Sequence, residues 1–254
     1  AARHGPHRIG LHAERSGNGF RLNGTKRFVP FGHVADLLIV AARTSGAPDD
    51  VDGITLFAVP GDAAIASSRR LADASLAAQL DFVDVQVDGD AAIGEVDGGR
   101  GPLDALLTVL RTGAASEMLG LANGATDMTM AYLRDRRQFG QAIGSFQALQ
   151  HRMATLALEI EQARSSAINA ADRFAKGRLE REKAVSAAKF TIGRVGSLAA
   201  EEAIQMHGGI GMTWELPLSH YAKRLVMIGH QLGDEDMHLE RFIALGQDAL
   251  ATAS

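Results

Sequence analysis

Residues 146–174 read FQALQHRMATLALEIEQARSSAINAADRF. Apolar or small side chains fall at Phe146, Leu149, Met153, Leu156, Ile160, Ala163, Ala167, Ala170 and Phe174. The steps alternate between three and four, which keeps one stripe facing its neighbours in a left-handed helical bundle. The same period continues on both sides. Downstream it picks out Val185, Ala188, Ile192, Val195, Ala199, Ala203 and Met206. Upstream it picks out Leu103, Leu106, Leu110, Ala114, Leu121, Ala125, Met128 and Tyr132. A shorter helical piece near Leu216–Ile228 and a last one near Glu235–Leu250 complete the set. Short connections between long helices imply antiparallel neighbours, so the spacing predicts an up-down four-helix bundle with an extra arm. Aromatic residues are only 5% of the chain, so alanine, leucine and valine must pack closely.

Upstream of the bundle the pattern changes. Asp97-Gly98-Gly99-Arg100-Gly101-Pro102 reads as a hinge, with Pro102 placed for the first turn of a helix. Before it, short apolar runs at Leu37–Ala41 and Ile54–Val59 read as strands, the second closed by Pro60-Gly61. Asn23-Gly24, between Phe20–Leu22 and Thr25–Val29, predicts a tight hairpin turn. Within Leu80–Val87, Leu80 and Phe82 share one face and Val85 and Val87 the other, a phase change that predicts a bulge or bend. The fold class is therefore α+β: an antiparallel β-barrel or sandwich over residues 1–98, followed by a helical bundle over 99–254.

Composition removes several functions. The 254 residues carry 46% hydrophobic and 22% charged side chains, typical of a globular protein and not of a disordered chain. A net charge of −4 gives no basic field for nucleic acid. The absence of cysteine removes disulfides, iron–sulfur ligation and a thiol nucleophile. No apolar run is long enough to span a membrane, and the opening AARHGPHRIG is neither signal nor transit peptide. A cytoplasmic location is the expectation.

The chemistry-bearing residues sort as follows. His4, His7 and His12 cluster near the start but match no metal-ligand spacing, and neither do His230 and His238. No GxSxG nucleophile elbow and no GxGxxG dinucleotide turn is present. Two segments stand out. Arg136-Arg137-Gln138-Phe139-Gly140 ends a long helix. It reads either as dipole partners with a glycine stop, or as a guanidinium able to hold a phosphate beside a flat ring. Gln205-Met206-His207-Gly208-Gly209-Ile210-Gly211 also ends a helix, but its three glycines exceed what one cap needs. Bare backbone there permits close approach of a ligand, and Gln205 offers an amide donor and acceptor.

A β-domain leading into a four-helix bundle, with RxxFG after one helix and QxxGGxG after another, resembles the acyl-CoA dehydrogenases. The resemblance runs from GFRLNGTK (residues 19–26) through Gly94-Glu95 and YLRDRRQFG (132–140) to Phe146-Gln147. It continues through Gln205–Gly211, Trp214-Glu215-Leu216-Pro217 and Lys223-Arg224. It begins inside the family's β-domain, so the N-terminal α-domain is expected to be absent from this stretch. The resemblance implies α,β-desaturation of an acyl-CoA thioester, a carboxylate taking the α-proton while FAD accepts the β-hydride. It implies a tetramer with FAD across a subunit interface and an electron-transfer acceptor. Arg136 and Phe139 would reach the pyrophosphate and adenosine of a neighbour's flavin. Gln147, Gln205, Gly208 and Gly209 would support the same half. The isoalloxazine ring would lie near Phe28, Val29 and Pro30.

The departures are informative. The family's usual base position, counted from Lys223-Arg224, is Leu232, followed by Gly233-Asp234. The alternative base position, on the first bundle helix before an arginine, is Leu110 before Arg111. Leucine cannot accept a proton, so the chain is expected to lack the usual base. The family's flavin-facing hydroxyl corresponds to Pro30, which has neither a side-chain donor nor a backbone N–H. Kept flavin-binding segments with lost base positions resemble subunits of the heteromeric actinobacterial steroid-type acyl-CoA dehydrogenases. Phe28–Pro30, His33–Asp36, Gly211–Glu215 and Leu232–Asp234 look like that group.

Two alternatives remain. Asp234 or Glu235 could serve as a displaced base in a complete homotetramer, although Asp234 also reads as a helix N-cap with Glu235 and Asp236 in the first turn. A non-catalytic CoA-binding or assembly protein would need the flavin site to be lost, against which Arg136, Phe139 and the Gly208-Gly209 pair argue.

Overall fold

The structure is a computed structural model that describes Gly5 and residues 7–253, with side chains to residue 247. The chain divides into two compact units, residues 1–107 and 108–254.

In the first unit, among the described residues, seven strands form one sheet. They are β1 (His12–Ser16), β2 (Gly19–Pro30), β3 (Leu37–Arg43), β4 (Ile54–Pro60), β5 (Ile65–Arg70), β6 (Leu76–Val87) and β7 (Ala92–Ile93). Their order is β5-β6-β2-β1-β3-β4-β7. All neighbours are antiparallel except β1 and β3, which run parallel through His12 and Arg43. The sheet is open and mixed: β5 and β7 are its edges and do not close it into a barrel. Alternation explains β3, where Leu38, Val40 and Ala42 are buried while Leu37 and Ile39 face outward. β4 is buried nearly throughout, as its continuous run ITLFAV implies.

The expected turn at Asn23-Gly24 is not a turn. β2 runs straight through it, and the chain reverses at Gly17-Asn18, between the paired Ser16 and Gly19. A Cβ on Gly24 would lie 2.9 Å from the Leu11 Cα, so this glycine serves close backbone approach. Asn23 instead pins the expected bulge in β6. Its amide donates to the Asp84 carboxylate at 3.0 Å, and its carbonyl accepts the Asp84 N–H at 2.9 Å. Asp84 has φ +50°, and the register slips between Leu22–Val85 and Gly24–Phe82.

The second unit holds most of α1 (Arg100–Asp135), a small hairpin of β8 (Arg137–Gln138) and β9 (Gln141–Ala142), and α2 (Gln147–Asp172). It continues with α3 (Arg178–His207), α4 (Leu218–Gly229) and α5 (Glu235–Ala253). The α3 seam is buried in full, from Val185 through Ile192 and Ala199 to Met206. On α2, Met153, Leu156, Ile160, Ala163 and Ala170 are buried beside it. α3 packs against α2, α4 and α5. It also meets α1, where a Cβ on Gly196 would sit 3.1 Å from Met118 Cε, so small residues set the spacing. On α1 the buried stripe departs from the expected one. Leu110 is 44% exposed, while the adjacent Arg111 is buried. No described helix is long and apolar enough to cross a membrane.

Candidate functional site

The first candidate segment is a hairpin rather than a simple helix end. The Arg136 N–H donates to the Tyr132 carbonyl at 2.8 Å, closing the last turn of α1. The Ile143 N–H then returns to the Arg136 carbonyl at 2.8 Å. Arg137 pairs with Ala142 and Gln138 with Gln141. Phe139 and Gly140 form the two-residue tip, at φ +54° and +80°, as a primed turn demands. A phenylalanine in the left-handed region is unusual and costs roughly 1–2 kcal/mol. This one is also 89% exposed, so its own chain gives it little packing in return. Arg136 and Gln147 are exposed as well.

The second segment follows α3. Its three glycines have different reasons. Gly208 caps the helix at φ +64°, a conformation that favours glycine. A Cβ on Gly211 would lie 2.9 Å from the Ile204 carbonyl oxygen, so packing demands glycine there. Gly209 has no positive φ, and a Cβ on it would meet nothing within 4 Å. Neither its backbone nor its neighbours explain the missing side chain. Open space over Gly209, next to an exposed Gln205, suits a ligand lying against bare backbone. Lys223 Nζ sits 3.5 Å from the centre of the nearby Trp214 ring.

Both expected base positions carry leucine. Leu110 is exposed, and Leu232 is half-buried against the bundle core. Leu232 has φ +61° and is followed by Gly233 at φ +113°. Three buried basic side chains hold this turn by its carbonyls. Arg111 Nε donates to Leu232 at 3.1 Å. His238 Nε2 donates to the same oxygen at 3.2 Å. Lys189 Nζ donates to Gln231 at 3.1 Å and reaches Ile228 and Gly229 at 3.4 and 3.5 Å. Burial, with Arg111 and Lys189 close by, pushes the His238 imidazole down to about 3, so it is neutral at physiological pH. Burial and Arg111 lower the Lys189 ammonium to about 8. Sequence reading missed this clamp. Its one sign was Lys189, directly after Ala188 in an otherwise apolar seam.

Asp234 caps α5, its Oδ1 accepting the Met237 N–H at 3.0 Å. Glu235 lies against α3, where a Cβ on Gly193 would be 2.9 Å from its Cγ. Burial, then the neighbouring Asp236 carboxylate, raises its proton affinity. Among the other histidines, His7 Nε2 bonds Asp104 at 3.0 Å, and His12 and His230 are exposed. His4 lies outside the described residues. Among the described residues no group of three His, Asp or Glu is placed to hold a metal ion.

In the first unit, Phe28 at φ +54° forms a second bulge in β2 and is 76% exposed. Val29 packs against the sheet core, and Pro30 ends β2 opposite Ala77. Phe31, also at φ +54°, is exposed beside them. Burial lowers the Lys26 ammonium to about 8 on the same strand.

Two family models match this chain: "Acyl-CoA dehydrogenase, middle domain" over residues 9–88 and "Acyl-CoA dehydrogenase, C-terminal domain" over 97–244. The chain belongs to the acyl-CoA dehydrogenase family, whose members are FAD-dependent oxidoreductases. It is 34% identical to the mitochondrial short/branched chain specific acyl-CoA dehydrogenase of Rattus norvegicus, over 82% of this chain and 49% of that protein. The chain thus spans about half the length of that curated relative. Among solved structures it is similar to a glutaryl-coenzyme A dehydrogenase with glutaryl-CoA. That match has TM-score 0.88 and 29% identity, over 95% of this chain and 62% of the other. The Tcur3481–Tcur3483 steroid ACAD matches with TM-score 0.82 and 31% identity, over 96% and 64%.

Proposed function

We propose that this chain is part of an FAD-dependent acyl-CoA dehydrogenase in which it completes the flavin site of a partner subunit and carries no proton-abstracting carboxylate of its own. Bound FAD supplies the acceptor for the β-hydride of an acyl-CoA thioester. Arg136 would neutralise its pyrophosphate, Phe139 would lie beside the adenosine, and Gln147 and Gln205 would hydrogen-bond the same half. Gly208 and Gly209 would let the backbone approach it. On this chain's own β-domain, Phe28, Val29 and Pro30 would lie beside the ring of a second flavin, not the one that Arg136 reaches. The donor set suits the group: one exposed cation, two exposed amides and a glycine whose Cβ position is empty.

The observation that carries the base-lacking reading is leucine at both base positions, with the one adjacent aspartate bonded as a helix cap. Removal of the α-proton would then fall to a carboxylate of the partner. The matched steroid ACAD, whose name pairs two proteins, supports a heteromeric assembly. In this reading the enzyme is cytoplasmic, works with an electron-transfer acceptor, and uses residues 1–98 as part of its β-domain and 99–254 as its C-terminal bundle. Native mass spectrometry of the full-length protein from its own host, with flavin retained, tests it. A mixed tetramer of two chain types with two FAD is expected. A homotetramer with four FAD would overturn the heteromeric reading, and a colourless complex would overturn the flavin site.

One observation favours a second reading. The half-buried Glu235, with its raised proton affinity, lies three residues past Leu232. In a homotetramer it would be the displaced base, and Glu235→Gln would then abolish turnover.

A further inference from the structure

The proposed nucleotide cradle has two parts distant in sequence. One is the Arg136–Gly140 hairpin after α1, the other the Gly208-Gly209 turn after α3. Both are exposed, and each hangs from the last turn of a long helix. Those two turns are joined side chain to side chain. The rings of Tyr132 and His207 stack, with centroids 4.4 Å apart and planes inclined by 24°. Tyr132 lies one turn before Arg136 and accepts the Arg136 N–H on its carbonyl. His207 is the last residue of α3, directly before Gly208. It is buried, and its Nδ1–H donates to the Ala203 carbonyl at 2.8 Å. That bond fixes the tautomer and the plane of the ring. Rotation of either ring would therefore disturb a helix end.

Volume alone does not explain the pair. In the turns just before the pair, the buried side chains are Ala122, Ala125 and Thr129 on α1 and Ala199, Ala200, Ala203 and Met206 on α3. Among the described residues, the ring-on-ring contact between α1 and α3 is this pair, in the layer beside the hairpin and the glycine turn. A stacked pair restrains spacing and tilt together, which aliphatic contacts do not.

We infer that Tyr132 and His207 are positioning residues that hold the Arg136 hairpin and the Gly208-Gly209 turn in register for a single flavin nucleotide. The inference rests on the reading that both segments touch the same FAD. The test is FAD titration of the deflavinated native assembly, followed by quenching of flavin fluorescence. It compares Arg136→Ala, Tyr132→Ala, the double variant and Tyr132→Phe with the unaltered protein. Arg136→Ala is expected to weaken binding about 10–100-fold through loss of a charge-assisted contact. Tyr132→Ala is expected to weaken it about tenfold, and Tyr132→Phe, which keeps the stack, to bind normally. The double variant should lose less than the product of the two, because a hairpin out of register no longer presents Arg136. Strict additivity, or normal affinity in Tyr132→Ala, would overturn the positioning role while the flavin reading stands. Normal affinity in Arg136→Ala would overturn the flavin reading and this inference with it. Should Tyr132→Ala not assemble, Tyr132→Leu keeps the volume, removes the flat face and takes its place with the same two outcomes.

Discussion

His238 and Leu232 are joined across the turn between α4 and α5, the imidazole Nε2 donating to the leucine carbonyl at 3.2 Å. Arg111 Nε donates to the same oxygen at 3.1 Å. The Leu232 carbonyl is thus fixed by two helices, α1 and α5. A third helix, α3, adds Lys189 to the preceding carbonyls. The backbone of this turn is held from three helices at once.

The clamp makes the bundle acid-sensitive. His238 is neutral when folded, its pKa lowered from 6.5 to about 3. Between those values the unfolded chain binds a proton that the folded chain does not. Stability is therefore fully present above about pH 6.5 and falls as pH drops toward 3, by on the order of a few kcal/mol. Urea unfolding midpoints at pH 7, 5 and 4 should decline steeply in the native protein. In His238→Gln, which keeps a donor but cannot titrate, the decline should be shallower. Parallel declines in the two proteins would show that His238 is not the group responsible.

Gly233 should tolerate no side chain. Its φ is +113°, and a Cβ would overlap Met237 Cε and sit 2.8 Å from His238 Nε2. Met237 can swing away, but the imidazole is tied to Leu232. Gly233→Ala is expected to cost roughly 1–3 kcal/mol, through strained backbone and a displaced clamp. A lowered urea midpoint with an unchanged slope is the signature of such a loss. A midpoint equal to that of the native protein would mean that the turn has room to relax.

Much of the bundle was legible because burial there follows a strict period. The seams of α2 and α3 lie where alternating steps of three and four put them, except at Phe174, which falls beyond the end of α2 and is exposed. The clamp was not legible, because Arg111, Lys189 and His238 bond to backbone carbonyls, which every residue has. In the sheet, β1 (HAERS) and β5 (IASSRR) lack an alternating apolar face, so no pattern marks them. Asn23-Gly24 was misread for a physical reason. The pair has the residue types of a two-residue turn, but Asn23 bonds Asp84 on β6 and Gly24 admits the Leu11 backbone, and neither partner is visible in the local sequence. At the candidate site, Arg136 and the glycines announced themselves by type and spacing. The strain at Phe139 is visible only in the backbone.

That strain sets up a trade between stability and binding. Phe139 occupies the left-handed region at the tip of the β8–β9 hairpin with its ring exposed. Phe139→Gly relieves the conformation and loses almost no packing within the chain, since the T-shaped contact with Phe146 spans 6.0 Å between centroids. Thermal unfolding of the deflavinated protein should shift upward by about 1 kcal/mol equivalent or stay level. Flavin retention through gel filtration should fall. A variant that keeps its flavin as well as the native protein would remove Phe139 from the proposed cradle.

Of the three acidic residues just past Leu232, Asp234 and Glu235 are the two whose substitution tests where the base resides. Asp234→Asn keeps a side-chain oxygen for the Met237 N–H, and asparagine caps helices about as well as aspartate, so stability should hardly change. Asp234→Ala loses that bond and should cost about 1 kcal/mol. Neither substitution should change turnover of the native assembly by more than a few-fold if this residue is only a cap. Glu235→Gln tests the second candidate carboxylate, since it keeps the shape packed on Gly193 but cannot accept the α-proton. With the base on a partner, acyl-CoA-dependent reduction of an artificial electron acceptor should proceed near the native rate in Asp234→Asn and Glu235→Gln alike. A fall of several orders of magnitude in Glu235→Gln, with stability and flavin content unchanged, would put the base in this chain. Leu110 and Leu232 would then mark where the family's base used to be in an enzyme that replaced it.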